Sequence, residues 1–219
     1  MTIPKALIFD VDGTLVDNMG LHTQIWLDFF VQLGVQVDAT TFHHQTAGKT
    51  APEVIRLMLG SHLSEAEVRF YSEQKEALYR SRYHPEAIFG LYDFLAQAQE
   101  AGLPMAIASA GGPLNIGLVL DGLQIRHYFQ AIVSGEDVKN GKPAPDLFLR
   151  AAGLLGVAPA GCLVFEDAWY GVEAAGRAGM ATIIITTSID PLAVTIGNGI
   201  KAAVPDFAHL SVAKLLAGQ

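Results

Sequence analysis

The 219 residues are 51% hydrophobic and only 16% charged, with 14 Lys and Arg set against 22 Asp and Glu. That composition excludes a disordered chain and suits one domain, or one domain with a smaller insert, whose core is built on buried strands. A formal charge of −8 repels phosphate backbones and anionic lipid, so neither nucleic acid nor a membrane surface is expected as a partner.

Lys5-Ala6-Leu7-Ile8-Phe9 reads as a buried strand closing on the turn Asp10-Val11-Asp12-Gly13-Thr14. Residues 17–86 then read almost wholly as helices. Leu21, Ile25, Phe29 and Leu33 recur at helical spacing, Trp26 and Phe30 widen the stripe, and Gly34 is a stop. Thr50-Ala51-Pro52-Glu53 and Ser64-Glu65-Ala66-Glu67 have the spacing of capping boxes, opening helices that run to Gly60 and to about Tyr83. After Pro85 strands and helices alternate. Apolar runs at 104–108, 131–133, 162–165 and 181–185 read as strands. Helices fall near 91–101, 113–123, 145–155 and 169–178, with Gly102, Gly156 and Gly179 as stops. Residues 197–205 read as the least regular part.

This order predicts an α/β fold: a Rossmann-like parallel sheet covered by helices on both faces. The core is expected over 1–16 and 87–219, with an all-helical cap domain over 17–86 inserted after the first strand. The single cysteine, Cys162, lies in an apolar run and reads as an inert buried thiol. The longest uncharged stretch, from Ala101 to Leu120, is broken by four glycines and two prolines and is no membrane span. A monomer in the cytoplasm is expected.

Ligands of such sheets bind beyond the carboxyl ends of the strands, and four strand ends carry polar residues. Asp10 and Asp12 leave the first strand on one side, where their charges repel unless a divalent cation intervenes or one keeps its proton; an acidic Asx turn is the plainer reading. Ser109, followed by Ala110-Gly111-Gly112, can cradle an anion at a helix start or can be an ordinary N-cap. Lys142, between Gly141 and Pro143, is better placed than its rival Lys139. Glu166 and Asp167 follow a strongly apolar strand, where two acids call for a cation, magnesium suiting oxygen ligands; Asp167 as a helix N-cap is the alternative. If the four ends meet, four carboxylates are balanced by Lys142 and one Mg²⁺, which suits a phosphoryl group open to in-line attack by a carboxylate.

These residues in this order resemble the haloacid dehalogenase superfamily: D-x-D-G-T at Asp10, a serine closing the second core strand, K-P-x-P at Lys142 and E-D-x-x-x-G from Glu166 to Gly171. The helical insert is similar to the cap of the β-phosphoglucomutase-like and sugar-phosphatase branch, and Arg126 through Met180 to small sugar phosphatases. The resemblance implies Asp10 as nucleophile, Asp12 as general acid and then base, and Ser109 and Lys142 as holders of the phosphoryl oxygens. It implies a Mg²⁺ bound by Asp10, the Asp12 carbonyl and Asp167, with Glu166 in the metal set. Asn18, His22, Lys75 and Ala110 are implied as substrate contacts. The placement of the insert leads us to expect a cap that opens and closes about hinges near 15–18 and 84–88, where it leaves and rejoins the sheet. The chain departs from the family at Ala168, where a serine is usual. It departs again at the cap turn Gly48-Lys49-Thr50-Ala51, where Ala51 matches the mutases' phosphate-gripping arginine and Lys49 is the candidate replacement.

The expected activity is a Mg²⁺-dependent phosphatase of a small-molecule phosphate ester, a sugar or polyol phosphate. A β-phosphoglucomutase-type phosphosugar mutase is the alternative, and a catalytically silent binding protein the reading from a different class.

Overall fold

A computed structural model describes residues 3–46 and 49–218, with the side chains of Ala39, His43 and His44 left aside. The chain packs as two units, Met1–Asp17 with Pro85–Gln219, and Asn18–His84.

The larger unit begins with β1 (Ala6–Phe9). The inserted unit follows, with α1 (Met19–Gln32), α2 (Ala39–Thr46), α3 (Ala51–Leu59) and α4 (Glu65–Arg82). The larger unit resumes with α5 (Leu91–Glu100), β2 (Met105–Ala108), α6 (Pro113–Gly122), β3 (Ala131–Val133) and α7 (Asp146–Leu155). It closes with β4 (Cys162–Glu166), α8 (Trp169–Arg177), β5 (Ala181–Ile185), β6 (Ile200–Val204) and the short α9 (Val212–Leu216).

The six strands form one parallel sheet in the order β3-β2-β1-β4-β5-β6. β1 is central: Ala6 pairs with Cys162 on one side, and Leu7 with Met105 on the other. Its four residues are wholly buried, as a strand covered on both faces must be. Alternate side chains meet two different cores. Ala6 and Ile8 face a small-residue layer with Ala106, Ala108 and Val164, closed by Leu147, Phe148, Ala151 and Ala152 of α7 and by Ala174 and Ala175 of α8. On the opposite side Phe9 stacks on Phe165, ring centroids 4.6 Å apart, and Phe94 and Phe207 close an aromatic cluster over them. The alanine face lets helices approach the sheet closely, while the Phe face fills a wider gap.

Helix α7 ends on Gly156 in the left-handed conformation, the C-terminal stop expected there. Two features escape the sequence pattern. Residues 200–204 form the edge strand β6, with a register shift against β5 between Thr182 and Ile183. The residues just before it, Gly197, Asn198 and Gly199, all have positive φ and hide the strand within an irregular run. α9 is too short to show a period.

In the inserted unit Trp26, Phe29, Phe30, Phe42, Val54, Ile55 and Val68 form one core. Both capping boxes are present. Glu53 accepts from the Thr50 N–H at 2.6 Å, and Glu67 from the Ser64 N–H at 2.8 Å, fixing where α3 and α4 begin. Among the described residues no helix is long and apolar enough to cross a membrane.

Candidate active site

Asp10 follows β1 with its backbone still on the ladder, its N–H donating to the Phe165 carbonyl at 3.0 Å. The register of the sheet, not a loop, therefore holds this carboxylate. Lys142, on the loop before α7, donates from Nζ to Asp10 Oδ1 at 2.6 Å and to Glu166 Oε1 at 2.6 Å. Its ammonium group also lies 5.0 Å from the Phe148 ring centroid, and its side chain is only 8% exposed. Lys139, the rival, is exposed. Burial opposes the charged amine, but the Asp10 and Glu166 carboxylates outweigh it and raise Lys142 above the ordinary lysine range.

Glu166 closes β4 at 1% exposure. Its second oxygen accepts the Asp167 and Ala168 backbone N–H groups, each at 2.9 Å. Three of the four lone-pair sites of this carboxylate are thus taken, one by Lys142 and two by the turn into α8. The approach requires Gly171, because a Cβ there would overlap the Glu166 carboxyl group. This also accounts for Ala168. It is the N-cap position of α8 with no side-chain cap, and the adjacent glutamate ties down the turn that a serine hydroxyl would otherwise hold. Asp167 is not the N-cap.

Asp167 is 3% exposed, and its Oδ2 is buried without a hydrogen-bond partner. Gly13, at φ +77°, brings the backbone of the first turn directly beneath it, and a Cβ there would overlap the carboxyl group. Burial, then the charges of Glu166 and Asp10, hold Asp167 well above the usual carboxylate range. Burial likewise pushes Asp10 up to about 7, Lys142 pulling it down and Glu166 and Asp12 pushing it up.

Ser109 is buried at the end of β2, and its Oγ accepts the Gly111 N–H at 3.1 Å. A Cβ on Gly111 would lie 3.4 Å from Ser109 Oγ and 3.5 Å from Asp12 Oδ2, so these two side chains converge on the same turn. Ala110, beside them, is exposed. Asp10, Lys142, Glu166 and Asp167 thus form one charged group at the carboxyl ends of the central strands, with the Asp12 and Ser109 pair at the end of β2.

A surplus of buried carboxylate with an orphaned oxygen fits a hard cation held by oxygens. Among the described residues no three His, Cys, Asp or Glu side chains close on a metal by themselves, so a backbone oxygen and water must complete any such site.

Two contributors went unseen in the sequence. Ser188 lies close enough to the Asp167 carboxyl to draw its proton affinity down, and Thr187 Oγ1 donates to the Gly13 carbonyl at 2.5 Å. The hydroxyl run Thr186-Thr187-Ser188 directly after an apolar strand was the available signal, a fifth polar strand end.

In the inserted unit Asn18, His22 and Lys75 come together around residues the sequence reading assigned only to the core. Asn18 Nδ2 donates to Tyr79 Oη at 2.7 Å, and the His22 ring stacks on Tyr79 with centroids 4.1 Å apart. Lys75 Nζ lies 3.4 Å from His22 Nδ1 and 2.9 Å from Glu76 Oε1, over the face of Trp26 at 4.8 Å. Lys49 is exposed on the turn before α3, and its neighbour Gly48 lies outside the described residues.

A model of haloacid dehalogenase-like hydrolases matches residues 4–179. The fructose-1-phosphate phosphatase YqaB of Escherichia coli is 32% identical over 81% of this chain and 94% of its own length. The β-phosphoglucomutase of Bacillus subtilis is 30% identical over 82% of each chain. A haloacid dehalogenase hydrolase of family IA from Entamoeba histolytica superposes with a TM-score of 0.88 at 25% identity, over 97% of this chain and 98% of that one. With this agreement over nearly its whole length, the chain belongs to the haloacid dehalogenase-like hydrolases and is an enzyme of their phosphatase kind.

Proposed function

We propose that the chain is a Mg²⁺-dependent phosphatase of small phosphorylated metabolites, sugar or polyol phosphates, acting through an aspartyl-phosphate on Asp10. The observation that carries this reading is the Asp10–Lys142–Glu166 chain of 2.6 Å contacts beside the orphaned Asp167 oxygen. Asp10, the Asp12 carbonyl and Asp167 would hold the metal, which supplies positive charge opposite the phosphoryl oxygens. Glu166 serves the site through Lys142, because its oxygens are already engaged.

Asp10 attacks phosphorus with one carboxylate oxygen while the bond to the ester oxygen breaks in line. Asp12 donates its proton to the departing alkoxide, so a neutral alcohol leaves. The same Asp12 carboxylate then takes a proton from water, the water oxygen attacks the phosphoryl group, and Asp10 is regenerated with inorganic phosphate. Lys142 compensates charge on the transferring group, and Ser109 and its turn amides receive the remaining oxygens. Attack requires Asp10 to be ionised, and a cation held beside it would favour that form.

Asn18, His22 and Lys75 select the alcohol, with Lys49 and Ala110 as further contacts. The named phosphatase relative supports a phosphorylated sugar, and the named mutase supports the alternative of phosphoryl return to sugar. The protein would work as a cytoplasmic monomer on a freely diffusing ester.

A phosphate-release screen over sugar and polyol phosphates with Mg²⁺ tests the reading, together with β-glucose 1-phosphate plus its bisphosphate. Saturable phosphate release supports hydrolysis. Glucose 6-phosphate formed without phosphate release would overturn hydrolysis in favour of the mutase, and no turnover on any ester would overturn both.

A further inference from the structure

We infer that Tyr79 is the positioning residue of the inserted unit, the side chain that sets Asn18, His22 and Lys75 in their working geometry. This rests on the reading of those three as selecting substrate, and it adds a residue that neither motif nor composition marks. Tyr79 is completely buried and is the largest such side chain among the described residues. Filling a core needs only its ring, yet each part of the residue meets a different polar neighbour. Its hydroxyl accepts the Asn18 amide at 2.7 Å, and one ring face lies parallel to the His22 imidazole, 14° between planes. Lys75, one turn earlier on α4, has Nζ 5.5 Å from the Tyr79 centroid.

The stack fixes the plane of His22, and with it the direction of Nδ1 toward Lys75 at 3.4 Å. Lys75 itself is only 2% exposed, held between Trp26 and Tyr79 with Glu76 as its counter-ion. Aromatic faces attract an ammonium group and close off its alternative rotamers. Tyr83, the residue that caps the end of α4, stacks on Tyr79 at 4.9 Å, so the clamp is itself braced. Tyr79 is thus fitted to hold the histidine and the lysine in place rather than to touch substrate.

The test compares Tyr79→Phe and Tyr79→Leu with His22→Ala and Lys75→Ala. Each is assayed on the best sugar phosphate from the screen and on p-nitrophenyl phosphate, whose flat aryl group offers no hydroxyls to select. Tyr79→Phe keeps the stack and loses the hydrogen bond from Asn18, so KM should rise about three- to tenfold with kcat unchanged. Tyr79→Leu should lower kcat/KM for the sugar phosphate on the order of 10²-fold, with turnover of p-nitrophenyl phosphate within twofold of wild type. The double variant His22→Ala/Tyr79→Leu should be no worse than the poorer single one, because both remove the same arrangement. By proton NMR, the upfield ring-current shift of the His22 imidazole should persist in Tyr79→Phe and vanish in Tyr79→Leu.

If His22→Ala and Lys75→Ala leave sugar-phosphate turnover unchanged, the substrate-selecting reading fails and this inference with it. If those two matter and Tyr79→Leu does not, or if its loss is equal on both substrates, the positioning role alone is overturned. Unchanged His22 resonances in Tyr79→Leu overturn it as well.

Discussion

The two units of this molecule each bury a lysine, and they do so by opposite means. In the core, Lys142 is neutralised by formal charge, with Asp10 and Glu166 both at 2.6 Å. In the insert, Lys75 has one formal partner, Glu76, at 2.9 Å, and otherwise lies against the rings of Trp26 and Tyr79. A carboxylate network binds tightly to one geometry and loses much if any member is removed. An aromatic surround is weaker per contact and tolerates small changes of shape. The first suits a step every substrate shares, and the second suits a surface that must differ between enzymes acting on different alcohols.

Mutations can break this contrast, and the largest effect is expected at Asp10. Asp10→Asn removes the proposed nucleophile and should cut turnover at least about 10⁴-fold on every phosphate ester, with an unchanged circular dichroism spectrum. Retained turnover would end its role.

Lys142→Ala leaves two buried carboxylates without their cation. It should lower kcat about 10³-fold and cost about 3–5 kcal/mol of stability, read by urea denaturation. Lys75→Ala, by contrast, should spare p-nitrophenyl phosphate hydrolysis; equal losses in the two variants would erase the distinction between the units.

Gly171→Ala sharpens the comparison without touching a charge. The added methyl must displace the Glu166 carboxylate, and through it Lys142, so kcat should fall on the order of 10²-fold on all substrates alike. A change confined to KM for one sugar would place the effect in the insert instead.

His22→Ala should change the ratio of kcat/KM between two sugar phosphates by about 10- to 200-fold while leaving aryl phosphate hydrolysis alone. The smallest effect is expected at Cys162, whose thiol burial pushes up to about 11. At pH 8 only about one thiol in a thousand is ionised, and the side chain is inside the small-residue layer. Iodoacetamide should therefore leave the native protein unmodified and label it fully in urea.

Much of this was legible in the sequence because one physical demand was repeated. Each buried strand is a continuous apolar run, and a charged residue directly after such a run has a chemical reason to be there. Asp10, Glu166 and Asp167 were found this way, Lys142 by the glycine and proline that flank it, and the two capping boxes placed α3 and α4. What was missed has physical causes too. β6 is an edge strand with every residue half-buried, so Ile200–Val204 carries neither the full apolar run of a central strand nor a clean alternation. Thr187 acts through a hydrogen bond to the Gly13 carbonyl and Ser188 through its nearness to Asp167, and neither leaves a periodic trace. The division of labour between Glu166 and Asp167 depends on which way each carboxylate turns, and Gly171, visible in the sequence only as a motif letter, decides that for Glu166. Tyr79 and Trp26 look like any other apolar residues of an amphipathic helix until their ring faces are located.

The central place of β1 has a consequence for how the protein is made. This wholly buried segment is made before its partners Met105–Ala108 and Cys162–Glu166, which follow the helical insert. Until then a nascent polypeptide carries an apolar ribbon with open edges, the feature that invites misassociation and recruits chaperones. Because contacts so remote along the chain must close before the sheet is whole, folding should be slow for this size. The inserted helices, whose contacts are local, can form while the ribosome is still working.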